Sequence, residues 1–294
     1  MRMHSDEVAI STALVAELVA SQFPHWAALP LRRVSSAGTD NAVFRLGDFL
    51  AVRLPRIPSA DGQVVREQRW LPILAPQLPL QIPTLVAVGA PGEGYPWAFG
   101  IYSWISGDTA VPDRIDDPLR AAATLGEFVA RLRSIPVAND APLAGRGVGL
   151  AVRDERVHRG IAALAGLFNP DAMLNVWTDA RAHPPWTDPP VWVHGDLNSG
   201  NILASAGRLS AVIDFGGIGC GDPAGDALAA WAYCDAGNRQ AFRDAAGFDD
   251  ATWARSRGTA LDFAVTALPY YRRSNPGLAA VAYRTITQLL ADRS

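Results

Sequence analysis

The chain has 294 residues, 49% of them hydrophobic and 19% charged, with 9 Trp, 10 Phe and 6 Tyr; it is rich enough in apolar side chains for a packed core, which excludes a disordered chain. A net charge of -3 excludes the basic footprint of a nucleic-acid binder, and Cys220 and Cys234 are too few for a disulfide framework and not spaced as a metal site. No apolar run reaches the ~18 residues of a membrane span, and Asp6, Glu7 and Glu17 interrupt the stretch where a signal peptide would be apolar, so the expectation is a cytoplasmic chain without membrane or nucleic-acid partners.

At about 150 residues per domain, the length points to two domains or lobes. Residues 6 to 22 carry Ile10, Leu14 and Leu18 at spacing four, with Ser5 as N-cap and Asp6 and Glu7 in the first turn, which predicts an amphipathic helix. Short apolar runs then alternate with turn signals: one ending near Ser35, then Ala42 to Leu46, then Leu50 to Leu54 beyond Gly47-Asp48, a three-strand antiparallel meander. Helical spacing returns over 61 to 78 through Val64, Leu71 and Leu74, and strands follow at Thr84 to Val88 and Ala98 to Ile105. These elements make an N-terminal sheet lobe over residues 1–105.

Ser106 to Pro118 is polar and acidic with two prolines, the composition of a connector. The remainder, 106–294, reads as a mainly helical lobe, with helices near 118–134, 151–166, 170–182, 224–235, 250–268 and 277–291. Between the third and fourth of these, the apolar runs Val191-Trp192-Val193, Ile202-Leu203 and Leu209 to Ile213 read as short strands holding loops.

Those loops carry the chemistry. VWVHGDLNSGNILASAGRLSAVIDFGG sets His194, Asp196, Asn201, Asp214, Phe215 and Gly216 in one block. Four fixed identities, His-Gly-Asp and an Asn five residues after the Asp, should arise by chance in roughly one chain in five hundred of this length at ~5% per residue type. Phosphoryl transfer needs this set: Mg²⁺ takes hard oxygen ligands and shares them with substrate phosphates, so one amide and one carboxylate suffice, here Asn201 and Asp214. A further carboxylate must orient the attacking hydroxyl and accept its proton, and Asp196 is that base.

The block resembles the catalytic loop of the aminoglycoside phosphotransferase family, kinase-like small-molecule kinases that read His-Gly-Asp where protein kinases have His-Arg-Asp. GCGDPAGD, with Asp222 and Asp226, resembles the same family, whose Asp-Phe-Gly-like turn is followed by Gly-Asp-Pro and a second Asp. The resemblance covers nearly the whole chain. It implies an α+β, two-lobed, protein-kinase-like fold with nucleotide and Mg²⁺ between an antiparallel sheet lobe and a mainly helical lobe. It further implies transfer of the γ-phosphoryl group of ATP or GTP to a hydroxyl of a small molecule, with an aminoglycoside-like antibiotic as the family-level acceptor. Choline, homoserine, a ketosamine or a sugar-like acceptor remain open, as does a catalytically silent nucleotide-binding relative.

By the same resemblance, the loop holding Ser35 and Ser36 covers the nucleotide phosphates, although with Gly38 as its one glycine it also reads as an ordinary hairpin turn. All 26 cationic residues are arginines, and Ala51-Val52-Arg53 places arginine where the kinase strand has lysine. Arg53 would hold phosphates and Glu67 would orient it; a salt bridge between a strand and a surface helix is the alternative. The hinge falls at Ile101 to Ser106, where the Ser103 carbonyl and the Ile105 N–H would meet the purine edge. His194 reads as a loop-orienting residue and Asp222 as a brace for the catalytic loop. Trp231, Asp235, Tyr270 and Tyr271 are acceptor-site candidates, and Asp262 is a further carboxylate that could face that pocket. Residues 219 to 294 hold eight acidic and eight basic side chains, so charge does not favour a polycationic acceptor.

Overall fold

In the computed structural model, which describes residues 6–34 and 38–292, the first helix, α1 (Thr12–Gln22), starts behind Ser11. The Ser11 hydroxyl accepts the Leu14 N–H at 3.1 Å, a cap worth about 1 kcal/mol. The expected earlier start fails because the Val8 N–H is bonded to the Arg56 carbonyl and Ile10 turns into the core from non-helical chain. The buried face of α1 is therefore Val15, Leu18 and Val19; Ser5 lies outside the described residues.

The chain divides into two units, Met1–Pro76 with Ile82–Ser106, and Gln77–Gln81 with Gly107–Ser294. In the first, β1 (Leu31–Arg33), β2 (Asn41–Leu46) and β3 (Leu50–Pro55) form the expected meander. Then come α2 (Gln63–Leu74), β4 (Leu85–Gly89) and β5 (Phe99–Ser103), and the sheet runs β1-β2-β3-β5-β4, antiparallel throughout. Period-two alternation sends Phe44, Leu46, Val52, Leu54, Phe99 and Ile101 into one core with α1. Arg53, Gly100 and Tyr102 take the opposite face.

The second unit starts with β6 (Asp108–Thr109), α3 (Pro118–Ser134), α4 (Asp154–Ala163) and α5 (Pro170–Ala182). Four short strands follow: β7 (Val191–Val193), β8 (Ile202–Ser205), β9 (Arg208–Val212) and β10 (Gly219–Gly221). They pair antiparallel as β10-β7 and β6-β8-β9. Residues 77–81 belong here because Gln81 bonds both ways with this hairpin, its N–H to Ser210 and its carbonyl to Val212.

The chain ends in α6 (Ala229–Ala232), α7 (Arg239–Ala246), α8 (Asp250–Tyr271) and α9 (Pro276–Ala291). The helix expected over 224–235 is instead a 3₁₀ turn, Pro223–Leu228, running into one turn of α-helix. Asp222 caps that turn and buried Asp226 is committed to the neighbouring loop, which tightens the backbone there. Helix α7, which packs along α3, had no counterpart among the expected elements. Among the described residues no helix is long and apolar enough to cross a membrane.

Candidate active site

β7 runs into the His-Gly-Asp motif buried, paired with β10 through Val193 and Gly219. What stops the strand is Asp226. Its carboxylate, without solvent exposure, accepts the N–H of His194 at 2.9 Å and of Gly195 at 2.7 Å. Burial pushes the Asp226 carboxyl up from its ordinary range, opposed by these N–H groups. Gly195 turns the chain at φ +80°, a left-handed conformation that favours glycine, and Asp196 emerges half-exposed.

His194 is wholly buried, edge-on to Phe215 at 4.7 Å. Its Nδ1 accepts the Asp196 N–H at 3.2 Å and its Nε2 lies 3.0 Å from the Ile213 carbonyl, so these partners place the ring proton on Nε2. His194 thus links the His-Gly-Asp loop to the segment ending in Asp214, with both ring nitrogens engaged.

The Asp196 carboxylate is held from two sides. Arg146 Nη1 donates to Oδ1 at 2.6 Å, and Asn201 Nδ2 donates to Oδ2 at 2.7 Å and to the Asp196 carbonyl at 2.9 Å. With its amide nitrogen so occupied, Asn201 has its side-chain oxygen left as a ligand atom. Asn201 directly precedes β8, Ile202 pairs with Val212, and the Ile213 N–H donates to the Asn201 carbonyl at 2.9 Å. The hairpin therefore brings Asn201 and Asp214 to one end. Asp214 sits at φ 66°, an uncommon conformation outside glycine that Asp tolerates better than most residues.

One amide and one carboxylate oxygen at a hairpin end fit Mg²⁺, which keeps waters and substrate oxygens for its remaining positions. Among the described residues no group of three or more His, Cys, Asp or Glu converges as a metal cage.

In the first unit Arg53 is ion-paired with Glu67, and the Tyr102 hydroxyl donates to the other Glu67 oxygen. Gln63 Oε1 accepts from Asn41 Nδ2 at 2.8 Å and, loosely, from Arg53 Nη2 at 3.4 Å. Glu67 is fully buried, so α2 does not offer it as a surface carboxylate. Burial, then the Glu67 charge, raises the Tyr102 phenol well above its ordinary range, which keeps it a donor. The ring crosses Gly100, where a Cβ would come within 2.3 Å of it.

Ser35 and Ser36 lie outside the described residues. Ser103 ends β5, with its N–H on the Thr84 carbonyl at 2.9 Å. Ile105 follows, half-buried, and makes no backbone hydrogen bond among the described residues.

Other expected residues are placed differently. Asp222 does not brace the catalytic loop: it accepts Arg255 Nε at 2.8 Å and Nη2 at 3.1 Å and caps the Ala224 N–H, and the bracing falls to Asp226. Trp231 is wholly buried against Trp253, centroids 4.8 Å apart, which makes it core and not a pocket wall. Asp235 half-faces solvent and accepts the Gly237 N–H at 2.8 Å in the turn before α7. Tyr270 and Tyr271 end α8 with rings 4.7 Å apart, Tyr270 more than half exposed. Asp262 is buried, with its carboxylate taken up by Arg153 and Arg156.

Sequence reasoning missed Arg146, the bracing role of Asp226, and Tyr102. Arg146 stands 50 residues before Asp196 in a glycine-rich stretch, and no spacing rule connects them.

A search of curated proteins finds no significant match. Solved structures share the fold. The GDP complex of aminoglycoside 2'-phosphotransferase-IIIa superposes with TM-score 0.72 at 19% identity, covering 96% of this chain and 99% of that one. The streptomycin–ATP ternary complex of APH(2")-IIa gives 0.61 at 19%, covering 97% and 98%. Macrolide 2'-phosphotransferase type I gives 0.62 at 22%, covering 96% and 98%. The model of the Phosphotransferase enzyme family matches residues 31–259, most of the chain and every motif above. With its sheet unit, its mainly helical unit and its His-Gly-Asp loop, the chain belongs to the Phosphotransferase enzyme family, with a kinase-like fold.

Proposed function

We propose that this protein transfers the γ-phosphoryl group of ATP or GTP, with Mg²⁺, to a hydroxyl of a small molecule, an aminoglycoside-like compound being the first class to try. The observation that carries this is the Asp196 carboxylate, fixed by Arg146 and Asn201 on a loop pinned by Asp226. Asp196 orients the acceptor hydroxyl and takes its proton as the bond to phosphorus forms. The loose transition state makes positioning count for more than early deprotonation.

Asn201 and Asp214 would hold Mg²⁺, which neutralises charge on the phosphate oxygens when bound. Arg53, aimed by Glu67, would bind the phosphates, and the chain beyond Ser103, with the Ile105 N–H, would meet the base. Support for a nucleotide donor comes from the GDP and ATP complexes among the structural neighbours, and for the acceptor class from the aminoglycoside and macrolide enzymes there. The two free, buried cysteines suit a reducing cytoplasm.

The test is release of nucleoside diphosphate from Mg²⁺ with ATP or GTP over a panel of aminoglycosides, macrolides, choline, homoserine and sugar alcohols. Acceptor-dependent release that Asp196→Ala abolishes is expected. Release equal in Asp196→Ala and wild type would overturn the assignment.

A further inference from the structure

We propose that Arg146 is a second catalytic residue: it guards the Asp196 carboxylate in the empty protein and moves onto the transferring phosphoryl group in the transition state. The proposal rests on the phosphoryl-transfer reading above. Arg146 lies at the base without any nucleotide-binding motif of its own. Its Nη1 donates to Asp196 Oδ1 at 2.6 Å and also to the Gly195 carbonyl, while among the described residues its Nε and Nη2 have no hydrogen-bond partner and are not buried. The side chain is 26% exposed, so those nitrogens are open to a ligand.

The turn that carries Arg146 is built to hold it there. Arg153 Nη2 donates to the Gly145 carbonyl at 2.6 Å, the Asp222 N–H to the Gly147 carbonyl at 2.8 Å, and the Ala144 N–H to the Cys220 carbonyl at 3.0 Å. Arg153 is itself fixed by buried Asp262 at 2.6 Å on α8, and Phe263 on that helix lies beneath the Arg146 guanidinium at 5.2 Å. A buried ion pair thus supports a turn that presents one half-exposed cation to the catalytic carboxylate.

The reaction gives that cation a task. An acceptor hydroxyl bonded to Asp196 displaces Arg146 from Oδ1, and the phosphorus that this hydroxyl attacks lies about 3 Å beyond its oxygen. A guanidinium released at that point is in reach of the equatorial phosphoryl oxygens, on which charge builds in the loose transition state. In the step, the hydroxyl proton passes to Asp196 and the acceptor oxygen bonds phosphorus. The bond from phosphorus to the bridging oxygen breaks, and nucleoside diphosphate leaves with the electron pair. Arg146 keeps its protons throughout. A chain without lysine uses a forked, permanently charged group for this task.

Wild type, Arg146→Ala and Arg146→Lys are compared by calorimetric binding of ADP or GDP with Mg²⁺, alone and with aluminium fluoride as a mimic of the transferring group, and by turnover with acceptor or water. For Arg146→Ala we expect unchanged diphosphate affinity, at least tenfold weaker binding with aluminium fluoride, and kcat down about 100-fold with nucleotide KM within about threefold. Free guanidinium at low concentration should restore part of the rate. Retained aluminium fluoride affinity and kcat in Arg146→Ala would overturn the proposal, and so would parallel loss of diphosphate affinity and melting temperature in both variants. Wild type inactive with every acceptor and with water would overturn the phosphotransferase reading instead, and aluminium fluoride binding still decides Arg146.

Discussion

Asn201 donates one amide to both the carboxylate and the carbonyl of Asp196, at 2.7 and 2.9 Å, so the side chain proposed as a metal ligand also holds the carboxylate proposed as the base. Two functions on one residue separate in its variants. Asn201→Asp should place a second negative charge against Asp196 and lower kcat, whereas Asn201→Ala should raise the Mg²⁺ concentration needed for half-maximal rate and lower kcat by about 10²-fold or more. A magnesium titration of each variant checks this; unchanged magnesium dependence in Asn201→Ala would remove Asn201 from the metal site.

Asp226 holds the His-Gly-Asp loop through two backbone N–H groups, those of His194 and Gly195. Asp226→Ala should leave the His194 and Gly195 N–H groups buried without an acceptor, at about 1–3 kcal/mol each. Chemical denaturation should show that loss, and kcat should fall while nucleotide affinity stays near wild type. Asp222→Ala should lower stability through the unpaired buried Arg255 and spare the loop geometry.

Half-buried Arg53 joins buried Glu67 and Tyr102 in one linked unit of the sheet domain. Arg53→Ala strands the Glu67 charge, so a stability loss of about 3–5 kcal/mol should accompany a higher nucleotide KM. Glu67→Gln with Arg53→Ala removes the stranded charge and should recover stability without recovering the KM. Nucleotide KM and kcat near wild type in that double variant would return Arg53 to a purely structural pair.

The α8 N-cap gives a pH signature. Asp249 accepts the Thr252 N–H at 2.6 Å, and this hydrogen bond, with Arg255 and Arg133, lowers its carboxyl from the ordinary 3.8. A lowered native value means stability present above the unfolded range and lost as pH falls through the native one. Asp249→Ala should therefore cost about 1 kcal/mol at neutral pH, with the difference from wild type closing below about pH 4, as measured by denaturant unfolding across pH.

How far the sequence speaks depends on how local each feature is. The meander, α5 and the helix pair at the C-terminus follow from period and caps, and Asp196, Asn201 and Asp214 fall within a block whose spacing is set by one hairpin. The start of α1 differs from the expected one because the capping rule is local while the Val8 to Arg56 bond, in the non-helical chain before α1, is not. Helix α7, only eight residues long, lacks a long periodic run. Asp222 and Asp226 are the same residue type four positions apart; only the packing beside β7 decides that Asp226 takes the loop. Arg146, Tyr102 and Arg153 meet their partners across 50, 35 and 109 positions, distances over which single-sequence patterns carry no register.

The central claim is that the γ-phosphoryl group ends on an acceptor hydroxyl through Asp196. Phosphorus NMR of wild type and Asp196→Ala with Mg²⁺, ATP or GTP and an aminoglycoside or macrolide reads this directly. The account predicts a new phosphomonoester resonance that grows with the nucleoside diphosphate signals in wild type and is missing in Asp196→Ala. A phosphomonoester that forms equally fast in Asp196→Ala would contradict it.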